Sequence, residues 1–146
     1  MLKLLIKKLR EDAVIPVSGS EYAAGYDLYA CIDGGSAAIP PHETVKIGTG
    51  LSVAVPEGYF GAIFARSGLS TKQGLRPANC VGVCDADYRG EYIVPLHNDT
   101  DVVQEIKTGE RIAQMVVLPC QSLRFEEVSE LPETVRGAGG FGSTGK

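Results

Sequence analysis

The chain has 146 residues, 44% apolar and 22% charged, enough for one domain with a buried core. Its net charge of −4 excludes a nucleic-acid coat, which needs clustered Lys and Arg, and still allows a nucleotide pocket, which needs only a few placed cations. Eighteen glycines and eight prolines, with no tryptophan, favour short strands and tight turns over long helices.

Residues 2–9 set Leu and Ile beside Lys3, Lys7 and Lys8, the pattern of an edge strand protected by lysines. This start lacks a long apolar stretch and a small-residue cleavage site, so no signal peptide is expected. No apolar run in the chain is long enough to span a bilayer. A cytoplasmic protein with neither membrane nor nucleic-acid partner is the expectation. Cys31, Cys80, Cys84 and Cys120 form no CxxC pair, and His42 and His97 stand alone, which argues against zinc. Small buried thiols in a reducing compartment are expected instead.

Residues 26–30 read as a strand after the turn at 23–25. Residues 45–55 alternate well enough for one long strand interrupted at Gly48 and Gly50, and 59–65 form another after the Pro56-Glu57-Gly58 turn. Residues 67–72 suit a short helix ended by Gly74. Residues 79–85 and 92–97 flank a polar stretch and read as the arms of a β-hairpin. Residues 106–118 contain a Thr-Gly turn followed by a strand closed by Pro119, and 123–128 alternate once more. No segment keeps a 3.6-residue apolar period over three turns, so the expected class is all-β, a sandwich or jelly-roll-like barrel. Residues 136–146 hold five glycines and one aromatic, too little side chain for a core, and form a flexible arm beyond a domain at 1–135.

Four stretches could carry chemistry. Residues 140–146 spell GxxxxGK without the strand and helix that a phosphate loop needs. The glycines would still expose N–H groups to anionic oxygens, with Arg136 and Ser143 as added donors and Phe141 as a stacking face. A solvated terminus fits the same residues. At 65–70, a strand runs into Arg66, Ser67 and Gly68 and then a helical turn, which favours a phosphate oxygen. A serine N-cap beside a surface arginine accounts for them equally.

At 82–91, Asp85 follows three strand residues, so a rigid β-ribbon would hold it as a general base requires. Asp87 has the same side-chain parity, and Tyr88 could pack on a sugar and reject a ribose hydroxyl. An acidic turn with Tyr88 plugging the core is the alternative. At 109–115, Gln114 is a neutral polar residue in an apolar strand. An unpaired buried amide costs roughly 1–3 kcal/mol, so it needs either a ligand or a backbone partner. Asp27, at the start of a strand, poses the same question for a metal-bound water.

Together these segments resemble the trimeric dUTPase family. Its five motifs occur in order as AGYDLYA at 24–30, ARSGLS at 65–70, GVCDADYRGEY at 82–92, GERIAQMVV at 109–117 and RGAGGFGSTG at 136–145. The resemblance implies a jelly-roll-like, distorted β barrel and a homotrimer with active sites shared between subunits. It implies Mg²⁺-assisted hydrolysis of dUTP to dUMP and diphosphate, removing dUTP and supplying dUMP. It also implies that Asp85 orients the attacking water, and that Asn79, the backbone of Gly82, Val83 and Cys84, and Ile93 read the uracil. Tyr88 screens the deoxyribose, while Arg66, Ser67, Gly68 and Gln114 hold the phosphates. Asp27 would reach Mg²⁺ through water, the triphosphate being the main ligand. The arm would close over a neighbour's site with Arg136, Phe141, Gly142 and Ser143. Cys84 stands where the family more often has an aliphatic residue, with little effect expected, and Ala65 replaces a common proline. A dCTP deaminase of the same fold is the alternative reading, and a non-catalytic nucleotide binder is the other.

Overall fold

A computed structural model describes residues 3–140. Eleven strands and one short helix make up the regular structure of these residues. The strands are β1 (Leu5–Lys8), β2 (Tyr26–Tyr29), β3 (Ser36–Ile39), β4 (Thr44–Gly48), β5 (Leu51–Ala54) and β6 (Tyr59–Phe64), then, after helix α1 (Ser67–Gln73), β7 (Leu75–Pro77), β8 (Gly82–Cys84), β9 (Ile93–Asn98), β10 (Gln104–Lys107) and β11 (Arg111–Pro119). The all-β, jelly-roll-like expectation is borne out.

The strands form a four-stranded sheet ordered β2-β11-β6-β8, a three-stranded sheet ordered β4-β9-β7, and the pairs β1-β5 and β10-β3. One apolar core is fed from all of them: Leu28, Ile39, Ile47, Val53, Leu96 and Ile106 are each at most 2% exposed. Short alternating strands with one apolar face have this outcome, because each sheet must cover its inner face with another.

Four expectations are corrected. Residues 45–55 are two strands in different sheets, since β4 pairs with β9 while β5 pairs with β1. The pivot is Gly50, which has φ +66 and space for no side chain: a Cβ there would lie 2.8 Å from Ala13 and 2.9 Å from the Cys31 sulfur. The arms at 79–85 and 92–97 are not a hairpin. β8 pairs with β6, β9 pairs with β4 and β7, and the loop between them crosses from one sheet to the other. Residues 123–128 form no strand and are exposed, Phe125 almost completely at 99%; among the described residues no strand pairs with them. Ser67 is not the helix cap: Arg66 occupies that position on extended backbone and makes no side-chain capping bond. Gly74 ends the helix as expected, in the left-handed conformation.

Buried polar side chains are few, and among the described residues all but the Tyr92 hydroxyl are hydrogen-bonded. Asn98 is fully buried, yet its amide donates to Ile39 O and Val102 O, and its Oδ1 accepts from Thr100 N and Oγ1, all within 2.9 Å. These bonds tie β3, β9 and the turn before β10 together. No helix of the described residues is long and apolar enough to cross a membrane.

Candidate active site

Two clefts divide the residues singled out from sequence. The first, about 210 Å³, lies along the β8 loop and is lined by Asn79, Gly82, Val83, Cys84, Asp85, Tyr88 and Ile93, with Ile63, Glu91 and Tyr92 behind them. Asp85 is the residue just after β8 and is exposed to the cleft. Ala86 and Asp87 form a turn, closed by Tyr88 N–H donating to Asp85 O at 3.1 Å, so strand parity does not extend to Asp87. Tyr88 does not plug the core. It is 43% exposed, and its hydroxyl donates to Glu91 O at 2.9 Å, which fixes the ring against the cleft wall.

The loop is braced from behind. Glu91 Oε1 accepts from Gly50 N–H at 2.7 Å, Ser52 Oγ donates to Arg89 O at 2.8 Å, and Tyr92 N–H donates to Leu51 O at 2.8 Å. Thr49 donates to Tyr92 O through both its N–H and its hydroxyl. The sharp passage between β4 and β5 thus acts as the platform on which Asp85 is carried. Tyr92 lies under the cleft, 1% exposed, with its hydroxyl beside the Cys84 thiol and without an oxygen or nitrogen partner. Burial pushes both the Cys84 thiol and the Tyr92 hydroxyl up in pKa. Cys84 therefore contributes a side chain to the floor of the cleft as well as backbone. Of the other cysteines, Cys31 is buried, whereas Cys80 and Cys120 are exposed against expectation.

The second cleft, about 430 Å³, is lined by Arg66, Gly68, Lys72, Glu110 and Arg111 among others. Beneath it, Asp27 accepts from Arg66 Nε at 2.7 Å on one oxygen and from Arg111 Nη1 at 3.2 Å on the other. Gln114 is half-buried and donates to Ala65 O at 2.9 Å, so its amide has the backbone partner that a strand interior demands. It also explains Gly25: a Cβ there would lie 2.6 Å from Gln114 Oε1. Ser67 and Gly68 are exposed at the start of α1. Lys72 and Arg111 were not singled out from sequence. A charged residue in the last turn of a helix, as Lys72 is, or at a strand end, as Arg111 is, carries no local signal of the cleft it will face.

The two clefts are separated along one strand. Cys84 lies opposite Gly61 on β6, and Arg66 is five residues beyond Gly61 on extended backbone, a span of roughly 16 Å. Asp85 and Arg66 of the same chain therefore stand at opposite ends of β6. Arg136 is exposed, its Nε donating to Gly139 O at 2.8 Å. Phe141, Gly142 and Ser143 lie outside the described residues. Among the described residues no three His, Cys, Asp or Glu side chains gather as a metal cage. A lone carboxylate such as Asp27, with lone pairs left beyond its two arginine bonds, suits a cation whose remaining ligands come from a polyphosphate.

A family model described as dUTPase matches residues 11–145. The chain is 47% identical over 144 residues to a deoxyuridine 5'-triphosphate nucleotidohydrolase of Hydrogenobaculum sp., covering 99% of each. It is 48% identical over 145 residues to one of Nautilia profundicola, covering 99% of this chain and 100% of the relative. Among solved structures, the Staphylococcus bacteriophage 80alpha dUTPase with dUpNHpp matches at TM-score 0.90 and 29% identity over 100% of both chains.

Proposed function

The chain belongs to the dUTPase family, and on that premise we propose that it hydrolyses dUTP to dUMP and diphosphate by attack of water on the α-phosphorus. The observation that carries this reading is Asp85, exposed on the wall of a braced cleft that also presents Asn79 and Tyr88. A carboxylate held in this way accepts the proton of a water as it attacks, a role worth roughly 10²–10⁴-fold in rate. Asn79 and the backbone around Gly82 and Val83 read the uracil edge, and Ile93 closes the end of the cleft. The ring of Tyr88, tied to Glu91 O, excludes a ribose 2′-hydroxyl.

The phosphates belong in the cationic cleft, where Arg66, Ser67, Gly68 and Gln114 contribute donors. Mg²⁺, bound chiefly by the triphosphate with Asp27 reaching it through water, would supply charge neutralisation for the leaving diphosphate. One triphosphate has no use for an Asp85 and an Arg66 separated by the length of β6. The site is therefore assembled between copies, three in the arrangement implied by the family resemblance, each contributing one cleft to a neighbour. Residues 136–146 close over the completed site, with Arg136, Gly142 and Ser143 on the phosphates and Phe141 over the base, excluding bulk water. The barrel that presents it runs from β1 to β11, Leu5 to Pro119, and residues 120–135 of the domain expected at 1–135 are exposed chain beyond its last strand. A cytoplasmic location follows from this reading of a nucleotide-pool enzyme.

The deciding experiment follows diphosphate and ammonia separately with dUTP, dCTP, dTTP and UTP, with and without Mg²⁺, on the full chain and on one ending at Val135. Diphosphate from dUTP alone, dependent on Mg²⁺ and on the arm, is expected. Ammonia from dCTP would overturn the reading in favour of deamination. Tight dUTP binding without turnover would make the protein a binder.

A further inference from the structure

Arg111 reaches the cationic cleft through an irregularity in β11. Residues three apart on a regular strand project from opposite faces, so Arg111 and Gln114 would point apart. The ladder with β2 instead shifts register between Arg111 and Ala113, leaving Gln114 opposite Asp27 and Arg111 opposite Tyr29. Asp27 and Tyr29 share a face of β2. The extra residue, Ile112, thus turns Arg111 onto the face of Asp27 and Gln114, the re-aiming that bulges perform. Ile112 and Ala113 are both fully buried, so core packing holds the bulge in place.

The consequence falls on Arg66. Asp27 gives one oxygen to Arg111 Nη1 and the other to Arg66 Nε. Among the described residues no hydrogen bond engages the terminal nitrogens of Arg66. A guanidinium is planar, so fixing Nε fixes the direction of the remaining fork. Arg111 is itself 54% exposed and Arg66 only 26%, which makes Arg111 the outer brace and Arg66 the inner donor.

We propose that Arg111 is a positioning residue: it holds Asp27, which holds Arg66 by Nε, so that the terminal nitrogens of Arg66 face the phosphates of dUTP. This rests on the functional reading above and adds to it a residue that acts through two others. The relay depends on the bulge, since a straight β11 would carry Arg111 to the other face.

The test uses the full-length assembled protein with Arg111→Gln, Asp27→Asn, the double variant and Arg111→Lys. KM and kcat for dUTP, affinity for its α,β-imido analogue, affinity for deoxyuridine and Tm are measured. Arg111→Gln is expected to raise KM and weaken the analogue about tenfold, with kcat within about threefold and deoxyuridine affinity unchanged. The double variant is expected to be no worse than the poorer single one, since both cut the same relay. Arg111→Lys, which keeps a charge beside Asp27, recovers most of the affinity and serves if the Gln variant proves unstable. Additive losses, an Arg111→Gln affinity within twofold of the unaltered chain, or a parallel loss of deoxyuridine binding would each overturn the relay. An unaltered chain that fails to hydrolyse dUTP would defeat the functional reading and the relay with it, whereas an active unaltered chain beside an unaffected Arg111→Gln would defeat the relay alone.

Discussion

In the cleft along β8, the functional groups are held by backbone: Asp85 ends a strand, Tyr88 is tied to a carbonyl, and Glu91, Ser52 and Thr49 lash the loop to the passage between β4 and β5. In the cleft beside α1, they are held by charge: Asp27 sits between two arginines, and Lys72 lines the open side. The first arrangement tolerates changes of ionic strength and depends on loop geometry. The second depends on ion pairs that are a quarter to a half exposed and thus screened by salt. Under the proposed reading, recognition of a neutral base and of an anionic chain would make these different demands, one at each end of β6.

The largest expected effect separates the clefts most sharply. Asp85→Asn should cut turnover by roughly 10²–10⁴-fold while the α,β-imido analogue binds as before. Single-turnover kinetics beside calorimetric binding would check this, and near-normal turnover would remove Asp85 from its role. Next comes the brace. Glu91→Ala leaves Gly50 N–H without its acceptor, so stability should fall by about 1–3 kcal/mol, with kcat lowered more than KM. Glu91→Gln, keeping an acceptor, should restore most of both, as thermal melts and steady-state rates would show.

A smaller effect concerns salt. Raising it from 50 to 500 mM should weaken the imido analogue several-fold and leave deoxyuridine affinity nearly unchanged, because the screened pairs lie in one cleft only. Equal weakening of both ligands in an ionic-strength titration would contradict the division of labour. The smallest effect is expected from Tyr92→Phe. The lost hydroxyl has no oxygen or nitrogen partner, so stability should change by less than about 1 kcal/mol in either direction, with kcat intact. A large loss on melting would show that the Cys84 thiol is a stronger partner than sulfur usually provides.

Local signals were readable where local physics acts. The helix at 67–73 ends at Gly74 because a left-handed position favours glycine, and the turn at 108–109 was marked by Thr-Gly. Asp85 and Tyr88 were singled out from one polar stretch, Asn79 and Ile93 came only with the family resemblance, and all four line one cleft. The hairpin reading failed at the same place: two apolar arms around a polar turn look alike whether they pair together or join different sheets. Arg111 went unnoticed because its orientation depends on a bulge, and Glu91 because its partner, Gly50, is forty-one residues away.

Residue order by itself determined that this protein is built of short strands and which side chains have the chemistry for a nucleotide. Those properties follow from turn residues, side-chain period and functional groups, all of which act within a few positions. Only the tertiary structure decided which strands pair, that Gly50 redirects the chain between sheets, and that the aspartate and the arginines of one chain occupy separate clefts. Pairing is a contest among many apolar edges of similar appearance, and the shared core that every sheet must cover settles it.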